Sequence, residues 1–277
     1  MIRRHPLASF FVLSFVIGWS PWPLHMAGVL PDTNFLPIAP LVAALIVAPI
    51  AHGRAGLRDI RSRMIRWRVP WYCYLAAVGV PLAVAFGTAG VNAGMGASAW
   101  SLSTIAWADV AVIFALRWIN PLDGALAEEP SWRGYALPRL QAARTPVASA
   151  TILGVIVAVW HIPLVFSGEG NPIGWLGVPT TFLVTFVYSW LFNRARGSAL
   201  LTMLFHVVQG TITAGTFGYE DGADLNRMQW LGLAAWAVVA AAVLLDRPAW
   251  RAAPRDAVDP VERRTETEVL TTPVVQR

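Results

Sequence analysis

Apolar residues in this chain gather into long runs separated by short polar breaks. The runs lie near 7–29, 35–52, 71–91, 105–127, 147–166, 175–192, 198–217 and 229–245. Each is near the ~20 residues that an α-helix needs to cross a bilayer. The pattern predicts an all-α, polytopic membrane protein with about eight transmembrane helices. The breaks set the orientation. With the N-terminus in the cytoplasm, the inner loops hold Arg54, Arg58, Arg61, Arg63, Arg66 and Arg68, then Arg139 and Arg144, then Arg194 and Arg196, then an arginine-rich tail. The outer loops hold Asp32, Glu169, Glu220, Asp221, Asp224 and a single basic residue, Arg227. Positive charge stays on the cytoplasmic side of membranes, so both termini are expected inside.

The runs divide the chain into a transmembrane domain, 1–246, and a polar, proline-punctuated stretch, 247–277, expected to be a disordered cytoplasmic tail. Between the second and third runs, Gly56 to Arg68 is basic and amphipathic, which suits a segment lying among anionic headgroups. The start, Met1-Ile2-Arg3-Arg4-His5-Pro6 before an apolar run, has the look of a signal peptide without a small-residue cleavage site, so a retained first helix is expected.

Composition agrees. Of 277 residues, 56% are hydrophobic and 13% charged, against roughly 25% charged in soluble domains, and mean hydropathy is +0.54. The net charge of +5 is accounted for by the inner loops and calls for no nucleic-acid partner. All 21 basic residues other than histidine are arginine; with the short loops this points to a bacterial cytoplasmic membrane. The single cysteine, Cys73, excludes an intrachain disulfide, a thiol-metal cluster and a Cys-Cys redox pair.

Against this apolar background one stretch stands out: Ala127-Glu128-Glu129-Pro130-Ser131-Trp132-Arg133-Gly134-Tyr135. Ionisable residues inside a membrane are costly unless paired, hydrated or used. On a helix Glu129 and Arg133 share a face and can pair, while Glu128 points about 100° away. One carboxylate is then neutralised and its neighbour is free for chemistry. Two histidines also fall inside runs, His161 after Trp160, and His206 before Gln209 and Gly210. Counted from the inner ends of their runs, both lie at depths of about 12–14 Å, at ~1.5 Å per residue. Glu128 joins them only if the fourth helix continues past it toward Arg139, with Pro121 and Gly124 kinking or breaking it. A long, broken fourth helix is therefore expected.

Three motifs in order resemble a known family. Glu128-Glu129-x-x-x-Arg133, followed by Gly134-Tyr135, resembles the EExxxR motif of CAAX proteases and bacteriocin-processing enzymes, the CPBP or Abi family of intramembrane endopeptidases, which includes the eukaryotic Ras-converting CAAX protease. Trp160-His161 looks like the second motif and His206 like the third. The motif-bearing core spans 121–217. The resemblance implies a peptidase in which Glu128, assisted by His161, activates a water and His206 stabilises the oxyanion, with Glu129 and Arg133 in support. The family pattern has an asparagine four residues after the third-motif histidine; Gly210 stands there, with Gln209, a backbone group near Gly210, or Thr211 as substitutes. The resemblance implies a bilayer-embedded enzyme acting on a peptide or protein, lipidated or membrane-inserted, with no cofactor.

Other readings share these residues. Glu128, His161 and His206 could bind zinc with an open position for water, although the HExxH spacing is absent. A non-catalytic scaffold or immunity protein is favoured by Gly210. A proton-coupled transporter would also place Glu and His at mid-depth, but no internal repeat is visible.

Overall fold

The computed structural model describes residues 2–30, 34–166 and 174–251. Asp32, Glu169 and the tail beyond 251 lie outside the described residues. Among the described residues every regular element is helical: α1 Pro6–Gly18, α2 Trp22–Met26, α3 Ala39–Met64, α4 Trp71–Gly94, α5 Trp107–Arg117, α6 Ala125–Ser131, a π-helical turn Trp132–Ala136, α7 Leu137–Ala143, α8 Pro146–Trp160, α9 Ile162–Val165, α10 Gly177–Arg194, α11 Ala199–Thr211 and α12 Gly222–Leu244, with 3-10 turns at Ala214–Phe217 and Arg247–Trp250.

Four of these segments are long and apolar enough to cross a membrane: Pro6–Met26, Ala39–Met64, Trp71–Gly94 and Gly222–Leu244. The remaining apolar runs are carried by shorter, broken or more polar helices. α8 has 15 residues and α11 has 13. α10 has 18 residues and is made more polar by Thr180, Thr181, Thr185 and Ser189. Glycine and proline explain several breaks. The first run is split at residues 19–21, where Pro21 and Pro23 separate α1 from α2. Within α3, Pro49 precedes Gly53, which sits at φ 60, so the helix changes direction there. The basic stretch from Gly56 then runs on as the last turns of α3, where Arg63 pairs with Asp59 at 2.9 Å. The fourth run is broken. α5 ends at Arg117, the chain turns through Gly124 at φ 95, and α6 restarts at Ala125. Pro130 removes a backbone donor inside α6, and the π-helical turn follows immediately.

α1 lies on α3, α3 on α6 and the π turn, α8 on α10, α10 on α12, and α11 on α4. The small residues Ala39, Ala43, Ala44 and Ala48 line α3 where its neighbours approach, and Phe10, Trp132, Tyr135 and Trp160 fill the space beside them. Residues 247–250, placed in the tail by the sequence pattern, pack on α10: Asn193 Nδ2 donates to Ala249 O at 2.9 Å, and Trp250 meets Phe186.

Polarity is inverted relative to a water-soluble domain. Val16, Leu75 and Val238 are 62%, 61% and 69% exposed, whereas Glu128, Glu129, Ser131, Arg133, Ser189 and Thr202 are buried. Apolar side chains facing outward around buried charge need a hydrocarbon surround, and this is an integral membrane protein.

Candidate active site

The short helix α6 supplies both carboxylates. Adjacent helical positions diverge, so Glu128 and Glu129 meet different neighbours. Glu129 turns into the protein. Its Oε1 accepts from Arg133 Nη1 at 3.1 Å and from His206 Nδ1 at 3.0 Å. Glu129 is 0% exposed and Arg133 3%. The Arg133 guanidinium also lies over the Tyr188 ring, 4.1 Å from its centroid, a stacking that suits a desolvated cation.

Glu128 faces the other way, toward His161, with 3.9 Å between Oε1 and Nε2. His161 closes the C-terminal end of α8, and its Nδ1 lies 2.8 Å from Val157 O. A carbonyl accepts only, so this nitrogen carries the ring proton and Nε2 of the neutral ring is an acceptor. Glu128 also approaches His206 across Gly124. A Cβ on Gly124 would lie 2.9 Å from Glu128 Oε1 and 3.5 Å from His206 Nε2. With its φ of 95, the position suits glycine on two counts: no L side chain takes that backbone cheaply, and none would fit.

Glu128, His161 and His206, from three separate elements, line one cavity of about 530 Å³. Its walls combine Thr180, Thr181 and Thr185 with Leu176, Val184 and Trp236. The supporting residues divide. Trp160 turns away from the cavity: its Nε1 donates to Ser14 O at 3.2 Å, and its ring meets Trp132 and Phe35 while its edge bears on His161. Gln209 lines the cavity, and its Oε1 accepts from Tyr188 OH at 2.9 Å. Thr211 donates back to Val207 O at 2.7 Å and does not line the cavity. Gly210 lines it without a side chain of its own.

Two residues that sequence reasoning missed belong to this cavity. Tyr188 joins Gln209 to Arg133, as described above. Arg117 lines the wall beside Gly210; its Nη1 donates to Gly210 O at 3.1 Å and pairs with Asp123 at 3.0 Å. A signal for Arg117 was present, since it is a charge inside the apolar run 105–127. Among the described residues, no three His, Cys, Asp or Glu side chains come together as a metal-binding group.

Residues 106–212 match the family model described as Rce1-like, type II CAAX prenyl endopeptidase Rce1-like. A 106-residue stretch is 28% identical to CAAX prenyl protease 2 of Methanococcus maripaludis, covering 35% of this chain and 37% of that protein. The chain therefore spans little more than a third of the curated relative that it matches. The segment matched by the family model carries Glu128, Glu129, Arg133, His161 and His206, and the two matches support placing the chain in the CPBP (CAAX protease) family.

Proposed function

We propose that this protein is an intramembrane endopeptidase that hydrolyses a peptide bond with a water activated by Glu128. The observation that carries the reading is the convergence of Glu128, His161 and His206 on one cavity.

The hydrogen bonding suggests how the water is held. Glu128 Oε1 and His161 Nε2 are both acceptors, 3.9 Å apart. A water between them donates one proton to each, which leaves its lone pairs free to attack a carbonyl carbon. Glu128 takes one proton as the new C–O bond forms. The tetrahedral oxyanion collapses, the C–N bond breaks, and Glu128 returns the proton to the leaving amine. His206, as the family resemblance implies, stabilises the oxyanion, with Nε2 able to donate only when the ring carries both protons. Glu129 and Arg133 are positioning residues that hold α6 and orient the His206 ring. No step runs through a metal.

The substrate class follows from the setting. A cavity inside a bilayer protein, with threonines alongside Leu176, Val184 and Trp236, suits a peptide segment of a membrane-inserted or lipidated protein. By loop charge both termini face the cytoplasm, in a bacterial cytoplasmic membrane. A non-catalytic scaffold is the second reading, favoured by the missing side chain at Gly210.

The test is cleavage of quenched peptides, prenylated and plain, by purified protein in detergent, comparing wild type with Glu128→Gln, each with and without a zinc chelator. Cleavage by wild type that survives chelation and vanishes in Glu128→Gln is the expected result. Equal cleavage by both proteins would sink the site assignment. Binding of the panel without cleavage by either would favour the scaffold.

A further inference from the structure

We propose that Arg117 is a further oxyanion-binding group of this cavity, acting beside His206, a role that rests on the endopeptidase reading above. On α11, His206 and Gly210 are four residues apart and so share a face. A side chain at 210 would point into the same space as His206. None exists, and the guanidinium of Arg117 occupies that volume: a Cβ on Gly210 would lie 2.1 Å from Arg117 Nη2 and 2.3 Å from Cζ. The missing side chain is thus a place filled from another helix, 93 residues away in sequence.

The guanidinium is docked at two points. Nη1 donates to Gly210 O at 3.1 Å and pairs with Asp123 Oδ1 at 3.0 Å; Nη2 donates to Asp123 O at 3.3 Å. Asp123 is followed by Gly124, the residue against which Glu128 and His206 both rest. Nε is buried and has no hydrogen-bond partner among the described residues. A buried, charged donor without an acceptor is costly, and an oxygen developing negative charge would satisfy it.

The other polar groups nearby divide. Gln209 Oε1 accepts from Tyr188, and its Nε2 keeps two neutral N–H donors that would act beside Arg117. Thr211 donates to Val207. His206 Nδ1 donates to Glu129, so its Nε2 carries a proton only when the ring is cationic. The Arg117 guanidinium carries N–H donors and no acceptor. In the reaction, water attacks the carbonyl carbon, the carbonyl electron pair moves to oxygen, and Nε–H donates a hydrogen bond to it. No proton leaves Arg117, and when the C–N bond breaks the electron pair returns to the carbonyl.

The experiment uses full-length protein in detergent, with a cleaved peptide from the panel and a phosphonate peptide as the tetrahedral anion probe. Arg117→Ala should lower kcat by about 10²–10³-fold, the loss seen when an oxyanion donor is removed, with KM changed by less than about threefold. Phosphonate affinity should fall with kcat, as expected for a group that binds the transition state better than the substrate. Gly210→Asn alone, clashing with Arg117, should be inactive, whereas Arg117→Ala combined with Gly210→Asn should recover about tenfold or more over Arg117→Ala. Gel filtration and melting check folding; if Arg117→Ala unfolds, Arg117→Gln and Arg117→Lys carry the same comparison. An unchanged kcat, or a loss confined to KM, would overturn the assignment while Glu128→Gln still showed the protease reading to hold. A wild type that neither cuts the panel nor binds the phosphonate would overturn both.

Discussion

Glu129 and His206 are 77 residues apart in sequence and 3.0 Å apart in space. Their contact ties α6 to α11, and it fixes which nitrogen of His206 carries the proton toward the carboxylate. Because Arg133 shares the same Glu129 oxygen, one buried carboxylate organises a histidine and an arginine while its neighbour Glu128 stays directed at His161.

Glu129→Gln should therefore be a stability mutation first. It leaves Arg133, 3% exposed, without its counter-charge. Removing one partner of a buried ion pair costs about 3–5 kcal/mol. Thermal or denaturant unfolding in detergent should show a marked drop, with Glu129→Ala at least as severe. A melting temperature within error of wild type would mean that the pair does not hold the fold.

Glu128→Gln should behave in the opposite way. His161 Nε2 lies 3.9 Å from its carboxylate oxygen, and the amide keeps the shape of the carboxyl. Folding should be unchanged, while turnover falls by at least about 10²–10⁴-fold, the contribution of a general base. The readout is the ratio of kcat values at matched folded fractions.

Gly124→Ala tests the break in the fourth run. A methyl there meets Glu128 Oε1 at 2.9 Å and must adopt φ 95. The backbone strain alone costs on the order of 1–3 kcal/mol, and displacement of Glu128 should cost activity beyond that. Gly218→Ala, at φ 79 with open space around the glycine, is the control: it should lose stability by a similar amount and keep its activity.

A pH effect is expected at the C-terminal end of α10. Arg194 hydrogen-bonds the Asp246 carboxylate and holds its pKa below the usual carboxylate range, against the opposing effect of burial; Trp190 Nε1 adds a bond at 2.6 Å. A folded-state pKa lowered below the unfolded value of about 3.9 gives stability that is present above that value and is lost as pH falls through the folded one. Asp246→Asn should melt below wild type near neutral pH, and the gap should narrow below about pH 4. A gap that stays constant across that range would remove Asp246 as the cause.

The residues that were legible in the sequence share one property. Glu128, Glu129, Arg133, His161 and His206 are ionisable groups in apolar surroundings, and the helical spacing of Glu129 and Arg133 alone gives their contact. The break near Gly124 was legible because glycine and proline act locally. Arg117 was not read, although it too is a charge in an apolar run, because its meaning lies in a contact with Gly210 that no spacing encodes. Tyr188 is similar: its contacts with Arg133 and Gln209 depend on how α10 packs. Counting spans from hydropathy also reached past the structure. The runs at α8 and α11 give helices of 15 and 13 residues that begin where the runs begin, after the caps Thr145 and Ser198, but end early, at Trp160 and Thr211, and run length does not register where a helix stops.

The clash distance of 2.1 Å between a Cβ at position 210 and Arg117 is also a rule for sorting homologues. An arginine at the position of 117 and any side chain at the position of 210 compete for one volume, so relatives should carry one or the other. A lineage that regains a side chain at 210 must swing the guanidinium out of this place, and one that loses it opens the volume that the arginine fills. The two positions form a single exchangeable unit, and they divide related chains into two groups without reference to any substrate.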